Sequence, residues 1–138
     1  MPRSSTLEAW EAALLDEIPV GHLGLLDEEG EPRVQPITFA RVGDVIVSAI
    51  DDKPKRGVPA RVQRLRKHPR AALTVDRYDD DWSRLAWVQV LAEASIVDLH
   101  AEALAALQRR YSVYRATPPP GPLINFRPVR ILCWRASE

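Results

Sequence analysis

The sequence predicts a small, mainly β domain in which about six antiparallel strands close, or nearly close, into a barrel accompanied by two or three helices. Three observations predict it. Short β-prone runs recur along the 138 residues, turn-rich pieces of hairpin length separate several of them, and few segments have helical spacing. With 46% hydrophobic residues the chain can bury a core of its own, so we expect one domain over residues 1–138.

The N-terminal segment predicts a helix, because apolar residues recur at helical spacing at Leu7, Trp10, Leu14 and Ile18. Ser5 and Glu8 have the spacing of a capping box, which marks the start of a helix. Pro19 ends it.

Three antiparallel strands are predicted next, from the runs HLGLLD (22–27), RVQPITFA (33–40) and DVIVSAI (44–50). Pro36 lies inside the second run, and proline cannot donate to a β ladder. That strand is therefore expected at a sheet edge, at a bulge, or facing a ligand.

The second half of the chain predicts three more strands and a second long helix. AALTVDR (71–77) is followed by an acidic loop and then by a long strand in which one face carries Leu85, Trp87, Gln89 and Leu91. Asp98 is the expected N-cap of the helix, whose apolar stripe is Leu99, Ala103, Leu107 and Tyr111 or Tyr114. In the last strand, Cys133 is expected to be a small core hydrophobe.

Composition excludes several classes of function. The 19 basic and 19 acidic residues cancel, and a single cysteine allows no intrachain disulfide. No apolar run suits a signal peptide or a membrane span, so we expect a cytoplasmic protein. Glycine-rich phosphate loops, metal-ligand spacings and a nucleophile elbow are all missing, so we nominate no catalytic residue and no metal.

Residues 51–70 carry eight Lys or Arg residues. A basic loop that leads into a helix starting near Pro59 can cradle a phosphate with point charges, guanidinium groups and free backbone N–H groups. A solvated basic face is an equally good reading of the spacing. Core packing is the default for Trp82 and Trp87, although a planar ligand would use the same rings for stacking.

Three motifs carry a resemblance to a known family. KPKR (53–56), YDDDWSRLAWV (78–88) and the closing Pro128, Arg130 and Trp134 resemble the split β-barrel superfamily that includes pyridoxamine 5′-phosphate oxidase. More narrowly, the chain is similar to the actinobacterial branch of coenzyme F420 (deazaflavin)-dependent oxidoreductases. The resemblance covers nearly the whole chain and implies a six-stranded antiparallel split β-barrel, the FMN-binding split-barrel fold.

The resemblance also implies a homodimer with two cofactor sites in grooves between the subunits. Carried over by position, the ring of the cofactor would contact Pro36, Ile37, Thr38, Ser48, Ala49 and Ile50. Its phosphate would be held by Lys55, Arg56 and Arg61, and Trp87 would lie near the ring.

The leading hypothesis is an oxidoreductase in which F420 transfers a hydride to or from a small organic substrate. A flavin mononucleotide (FMN) enzyme of the same fold and a cofactor carrier without chemistry are the alternatives. F420 carries a phosphate and a polyglutamate tail, and the long basic run suits a long anion better than a single phosphate. Nucleic-acid binding is disfavoured because the net charge is zero and no second basic patch lies near stacking aromatics.

Overall fold

The computed structural model describes residues 4–50 and 59–137. In chain order the elements are α1 (Ala9–Glu17), β1 (Gly21–Leu26), β2 (Pro32–Ile37), β3 (Ala40–Val42), β4 (Val45–Ala49), α2 (Ala60–Lys67), β5 (Arg70–Arg77), a 3₁₀ turn (Trp82–Arg84), β6 (Ala86–Val97), α3 (Ala101–Arg110), α4 (Ser112–Ala116) and β7 (Leu123–Arg135).

The strands form a seven-stranded antiparallel sheet in the order β2-β1-β5-β6-β7-β4-β3. The expected count of six was wrong because the run 33–40 is two strands. Thr38 and Phe39 leave the ladder, and the chain continues as β3 to pair with β4. The prediction that the strand containing Pro36 lies at an edge is confirmed, since β2 is an edge strand.

The two edges of this sheet must lie close together. β2 ends at Ile37 and β3 begins at Ala40, and three Cα–Cα steps of about 3.8 Å reach at most about 11 Å. A flat sheet of seven strands spaced about 4.8 Å apart would separate its edges by about 29 Å. The sheet is therefore strongly curled, as in a barrel, with Thr38 and Phe39 joining its edges.

The two faces of the curled sheet differ sharply in burial. On the face that we call the inner face, Leu23, Leu73, Val75, Val88 and Val90 are each at most 2% exposed. The outer face carries the alternate residues of the same strands, and none of the following is buried: His22, Gly24, Val34, Pro36, Ala72, Thr74, Trp87, Gln89, Leu91, Arg130, Leu132 and Trp134. The expected shared face of Trp87, Gln89 and Leu91 is confirmed, and it is the outer one.

The helices divide the core in two. Val62 and Leu65 of α2 pack with the inner face, together with Leu14 and Leu15 of α1. A second, smaller cluster joins α3 and Tyr114 to β3 and β4, and it contains Ala40, Val47, Ala49, Ala103, Ala106, Leu107, Tyr114 and Leu123. None of the helices in the described ranges 4–50 and 59–137 has the length and apolar composition needed to cross a lipid bilayer.

Two expected helix caps lie elsewhere. The N-cap of α1 is Glu8, which forms a capping box with Glu11, because Ser5 lies in a turn upstream of the helix. The N-cap of α3 is His100 rather than Asp98, and its Nδ1 accepts a hydrogen bond from the Ala103 N–H at 3.3 Å. Histidine can replace the usual Asp or Ser here because a neutral ring nitrogen is also an acceptor.

Cys133 is exposed, so its expected place in the core was wrong. Cys133 is in register with the buried Val88, so by strand alternation it belongs to the inner face. It lies only two residues from the end of β7, where the inner face is open to solvent. Partial desolvation, with the Glu11 and Glu8 carboxylates nearby, raises the pKa of its thiol to about 11. Strand parity therefore gives the correct face but not the depth of burial.

Candidate functional site

The bend between the two edge strands brings together most of the predicted ring-contacting residues. Ser48, 1% exposed near the end of β4, donates a hydrogen bond from Oγ to the Thr38 carbonyl at 2.7 Å. This bond ties the segment 36–38 to the segment 48–50. The geometry thus joins the two triplets that the resemblance assigns to one cofactor.

Two tyrosines from the end of α3 and from α4 hold the same bend. The Tyr111 hydroxyl accepts the Phe39 N–H at 3.0 Å and lies 2.8 Å from the Phe39 carbonyl and 2.7 Å from the Pro19 carbonyl, to which it can donate. The Tyr114 hydroxyl is 2.8 Å from Thr38 Oγ1. Burial raises the pKa of Tyr111, so its phenol stays protonated and remains a donor at neutral pH.

Arg110 packs against the bend and also binds the end of α1. Its guanidinium lies over the Phe39 ring at 4.4 Å and over the Tyr111 ring at 5.5 Å. The same guanidinium donates to the carbonyls of Leu15 and Ile18, which have no intrahelical partner because α1 ends there. One side chain thus joins α1, α3 and the bend.

The start of α2 contains the predicted phosphate ligand Arg61. Its Nε is buried and has no hydrogen-bond partner among the described residues, which is costly for a charged donor. The first turn of α2 holds no acidic side chain, whereas its last turn holds Arg64, Arg66 and Lys67. A helix start with free N–H groups, beside an arginine whose Nε has no partner among the described residues, is suited to bind an anion.

Two other basic residues of α2 are already engaged. Arg64 Nε is 3.2 Å from Glu28 Oε1, and Lys67 Nζ donates to the Glu28 carbonyl at 3.1 Å. Both bonds fasten α2 to the turn between β1 and β2. Arg66 is exposed on the same helix and makes neither of these contacts.

The side chains of Ile37, Ala49 and Ile50 are 5%, 2% and 6% exposed, so a bound ring would meet their backbone atoms rather than their side chains. Pro36 is exposed on β2, and an edge strand keeps half of its backbone groups free of ladder bonds. Such free groups can bond to the polar edge of a heterocycle.

Trp87 shares the outer face with Pro36. Through His22 and Thr74, Pro36 is in register with Gln89, and Trp87 is two positions from Gln89 on β6. Three strand spacings of about 4.8 Å and two residues of about 3.4 Å separate Trp87 from Pro36 by roughly 16 Å. Lys55 and Arg56 lie outside the described residues.

Sequence reasoning missed Tyr111, Tyr114 and Arg110 as residues of the site. The available signal was the placement of two tyrosines on the apolar stripe of a helix, because a buried tyrosine requires a partner for its hydroxyl. Their partners are backbone and hydroxyl groups more than 70 residues earlier in the chain, which no local pattern indicates.

The curled antiparallel sheet, whose edge strands are joined by the bend at Thr38 and Phe39, defines the class first: a small, mainly β domain of one strongly curled sheet with helices packed against it. The family model of pyridoxamine 5′-phosphate oxidase matches residues 7–135, and the chain belongs to that family. The chain has no significant sequence match among the curated proteins.

Solved structures agree on the fold. A conserved hypothetical protein from Mycobacterium tuberculosis has a TM-score of 0.75 at 19% identity, with 99% of this chain and 90% of that chain covered. The heme storage protein HutZ from Vibrio cholerae has a TM-score of 0.70 at 14% identity, covering 94% of both chains. An FAD-binding protein from Mycobacterium smegmatis has a TM-score of 0.65 at 18% identity, covering 94% and 97%.

Proposed function

We propose that this protein is an oxidoreductase that uses coenzyme F420, with FMN as the alternative cofactor, and that it works as a homodimer. The observation that carries the proposal is the buried Nε of Arg61 at the start of α2, which has no partner among residues 4–50 and 59–137. A guanidinium group in that state favours a phosphate, which both cofactors supply. Val62, the next residue, packs in the core cluster that also contains Ile37 and Ile50.

In this proposal each group of the chain has a defined task. Arg61 holds the phosphate with Lys55 and Arg56, the backbone of residues 36–38 and 48–50 borders the ring, and Thr38 offers a hydroxyl whose orientation Tyr114 fixes. The cofactor supplies the hydride chemistry, while the protein orients it. We assign no proton donor to the chain.

The basic run favours F420 over FMN. Arg64 and Lys67 are engaged by Glu28. The exposed residues Arg66 and Arg70 do not make these contacts and lie in the same basic run as Arg61. A long anion can reach several such charges, whereas a single phosphate reaches only the nearest. The fold similarity to an FAD-binding protein supports the flavin alternative, and the similarity to a heme storage protein supports a carrier without catalysis.

The outer face supports the homodimer. Val34 is 71% exposed, Trp134 47%, Trp87 38% and Leu26 38%, so large apolar side chains are exposed across one sheet face. A groove of about 340 Å³ crosses this face beside Gly24, Ala72 and Leu91. Apolar patches of this kind are typical of surfaces that are covered by a partner.

The test is titration of the purified protein with F420, followed by fluorescence, and with FMN in parallel. We expect a colourless protein that binds F420 more tightly. Arg61→Ala should weaken F420 binding about ten- to a hundredfold, as expected for roughly 1.5–3 kcal/mol of charge-assisted bonding. Arg109→Ala, an exposed arginine of α3 outside the basic run, is the matched control and should change affinity little.

Equal and small effects of the two substitutions would contradict a phosphate site at Arg61. Purification as a yellow protein with stoichiometric flavin would favour the FMN alternative. Hydride transfer from reduced F420 to an electron-poor acceptor, measured as loss of cofactor absorbance, separates an enzyme from a carrier.

A further inference from the structure

Two arginines lie on the inner face, at the end of the sheet where β6 begins. Arg77, Ala86 and Arg135 are in register on β5, β6 and β7, and Ala86 is 4% exposed. Residues in register on neighbouring strands share a face, so both arginines occupy positions that a core normally fills with apolar side chains. At about 4.8 Å between strands, their Cα atoms are roughly 10 Å apart. A charge held this close to a core is normally paired.

Helix α1 covers this end of the sheet and leaves a cavity of about 210 Å³ beneath it. Trp10, Ala13 and Glu17 line the cavity from the helix, and their spacing places them on one helical face. Leu85 and Ala86 give it apolar walls on the side of the sheet, and the two arginines reach it from the ends of β5 and β7. The cavity therefore combines apolar walls with two positive charges.

The two arginines differ in their partners. Arg77 donates from Nη1 to the Glu17 carboxylate at 3.1 Å and from Nε to the Arg84 carbonyl at 2.8 Å. Arg135 is half-buried, and its guanidinium lies over the Trp10 ring at 4.6 Å. It forms no hydrogen bond or ion pair within the ranges 4–50 and 59–137. The N–H donors of Arg135 are thus unused by this part of the chain, although it carries a full charge.

The carboxylates at the two ends of α1 have other tasks than neutralising Arg135. Glu17 is paired as described above, Glu8 accepts the Trp10 Nε1–H at 3.1 Å, and Glu11 accepts the Glu8 N–H at 2.7 Å in the capping box. Two guanidinium groups and one carboxylate line the cavity, which leaves it with a net charge of +1. An anion of one charge would complete it.

Hydrogen bonds fix the rim of the cavity. Asp81 Oδ1 accepts both the N–H and the hydroxyl of Ser83, at 3.1 and 2.7 Å. Ser137, the other serine that lines the cavity, donates from Oγ to the Ser83 carbonyl at 2.7 Å. Both serine hydroxyls therefore spend their protons on the rim itself, and the guanidinium of Arg135 remains as the main donor for a ligand.

We infer that this cavity binds a small organic monocarboxylate, with Arg135 as its counterion. One carboxylate matches the net charge, and a planar guanidinium can donate two parallel bonds to it. The apolar walls suit a ring or a short chain, and there is room for one, since a water molecule occupies only about 30 Å³ of the liquid. None of the residues assigned to the cofactor lines this cavity, so the ligand is a second molecule and the inference does not rest on the proposed function.

Benzoate is the probe, and benzamide, a neutral molecule of nearly the same shape, is the control ligand. The reporters are the indole N–H signals of the four tryptophans in a ¹H–¹⁵N NMR spectrum, with Trp10 assigned from the Trp10→Phe variant. At constant ionic strength, benzoate should shift the Trp10 signal saturably in the millimolar range or below, and benzamide should not. Absence of a saturable shift with benzoate, an equal response to both molecules, or a saturable shift that leaves Trp10 unmoved would overturn the inference.

Substitutions separate the charge from the cavity. Arg135→Gln should weaken benzoate binding about ten- to a hundredfold, as expected when a charge-assisted pair is lost. Arg127→Gln is the matched control, because this exposed arginine of the same strand is paired with Glu93 and does not line the cavity. Ala13→Leu keeps every charge but fills the space, so it should also abolish binding. An affinity unchanged by Arg135→Gln or Ala13→Leu, or lowered equally by Arg127→Gln, would refute the site.

The proposed phosphate site is the other place where an anion could bind. Arg61→Ala should therefore bind benzoate as tightly as the wild-type protein does, because Arg61 does not line the cavity under α1. Loss of benzoate binding in Arg61→Ala would place benzoate at the start of α2 and would overturn the inference.

Discussion

Replacing Tyr111 with Phe removes one oxygen atom from the bend between the edge strands and should destabilise the protein substantially. The Phe39 N–H is buried and uses the Tyr111 hydroxyl as its acceptor at 3.0 Å, and the phenol also serves the carbonyls of Phe39 and Pro19. A buried donor left without a partner costs about 1–3 kcal/mol. Because the Phe39 and Pro19 carbonyls also lose the O–H that can donate to them, we expect a value in the upper part of that range.

Tyr114→Phe is the matched control, since it also removes one hydroxyl from the same end of the molecule. Its partner, Thr38 Oγ1, is on a half-buried residue that water can reach, so the loss should be nearer 1 kcal/mol. Urea unfolding of both variants at one protein concentration measures the difference in the free energy of unfolding. If Tyr111→Phe costs no more than Tyr114→Phe, the phenol does not hold the bend as argued.

The core around β1, the end of α1 and the thiol of β7 each give a further testable expectation. Gly21→Ala should lower the free energy of unfolding by about 1–3 kcal/mol, because a Cβ at this position would lie 2.7 Å from Leu73 Cδ1 in a filled core. Thermal or urea unfolding measures the change, and an unchanged stability would show that Leu73 moves aside freely. Arg110→Ala should cost roughly 1.5–3 kcal/mol, since charged bonds to the end of α1 are lost, whereas the exposed neighbour Arg109→Ala should stay within about 0.5 kcal/mol. The pKa of the Cys133 thiol is raised from 9.0 to about 11, so this thiol should be alkylated at pH 8 about a hundredfold more slowly than an ordinary thiol. The stability that the neutral thiol contributes is complete below pH 9 and should be lost as pH rises towards 11. An alkylation rate that levels off near pH 9 would contradict the raised pKa.

The strands of this fold could be predicted because their patterns are local. Alternation along the run 86–97 correctly put Trp87, Gln89 and Leu91 on one face, and Pro36 indicated an edge strand. The default of core packing for Trp87 was wrong, because that face is the outer one. These signals depend on the backbone of the segment itself, where side chains alternate and proline lacks an N–H.

The seventh strand could not be predicted in this way. Thr38 and Phe39 are both β-prone, and nothing in the run 33–40 signals a bend. The bend is set by Tyr111 and Tyr114, more than 70 residues later, so tertiary contacts override the local preference. For the same reason the residues that hold the candidate site were found only when α3 and α4 were placed against it.

The position of β7 in the sheet has a consequence for synthesis of the protein. β7 follows all the other described strands in the sequence, yet it lies between β6 and β4 and is hydrogen-bonded to both. Without it the sheet falls into a piece of four strands and a hairpin of two. Because β7 comes after both of its neighbours, this sheet should be completed only once β7 has been synthesised. Folding should then occur in a single cooperative step that relies on contacts between distant parts of the sequence.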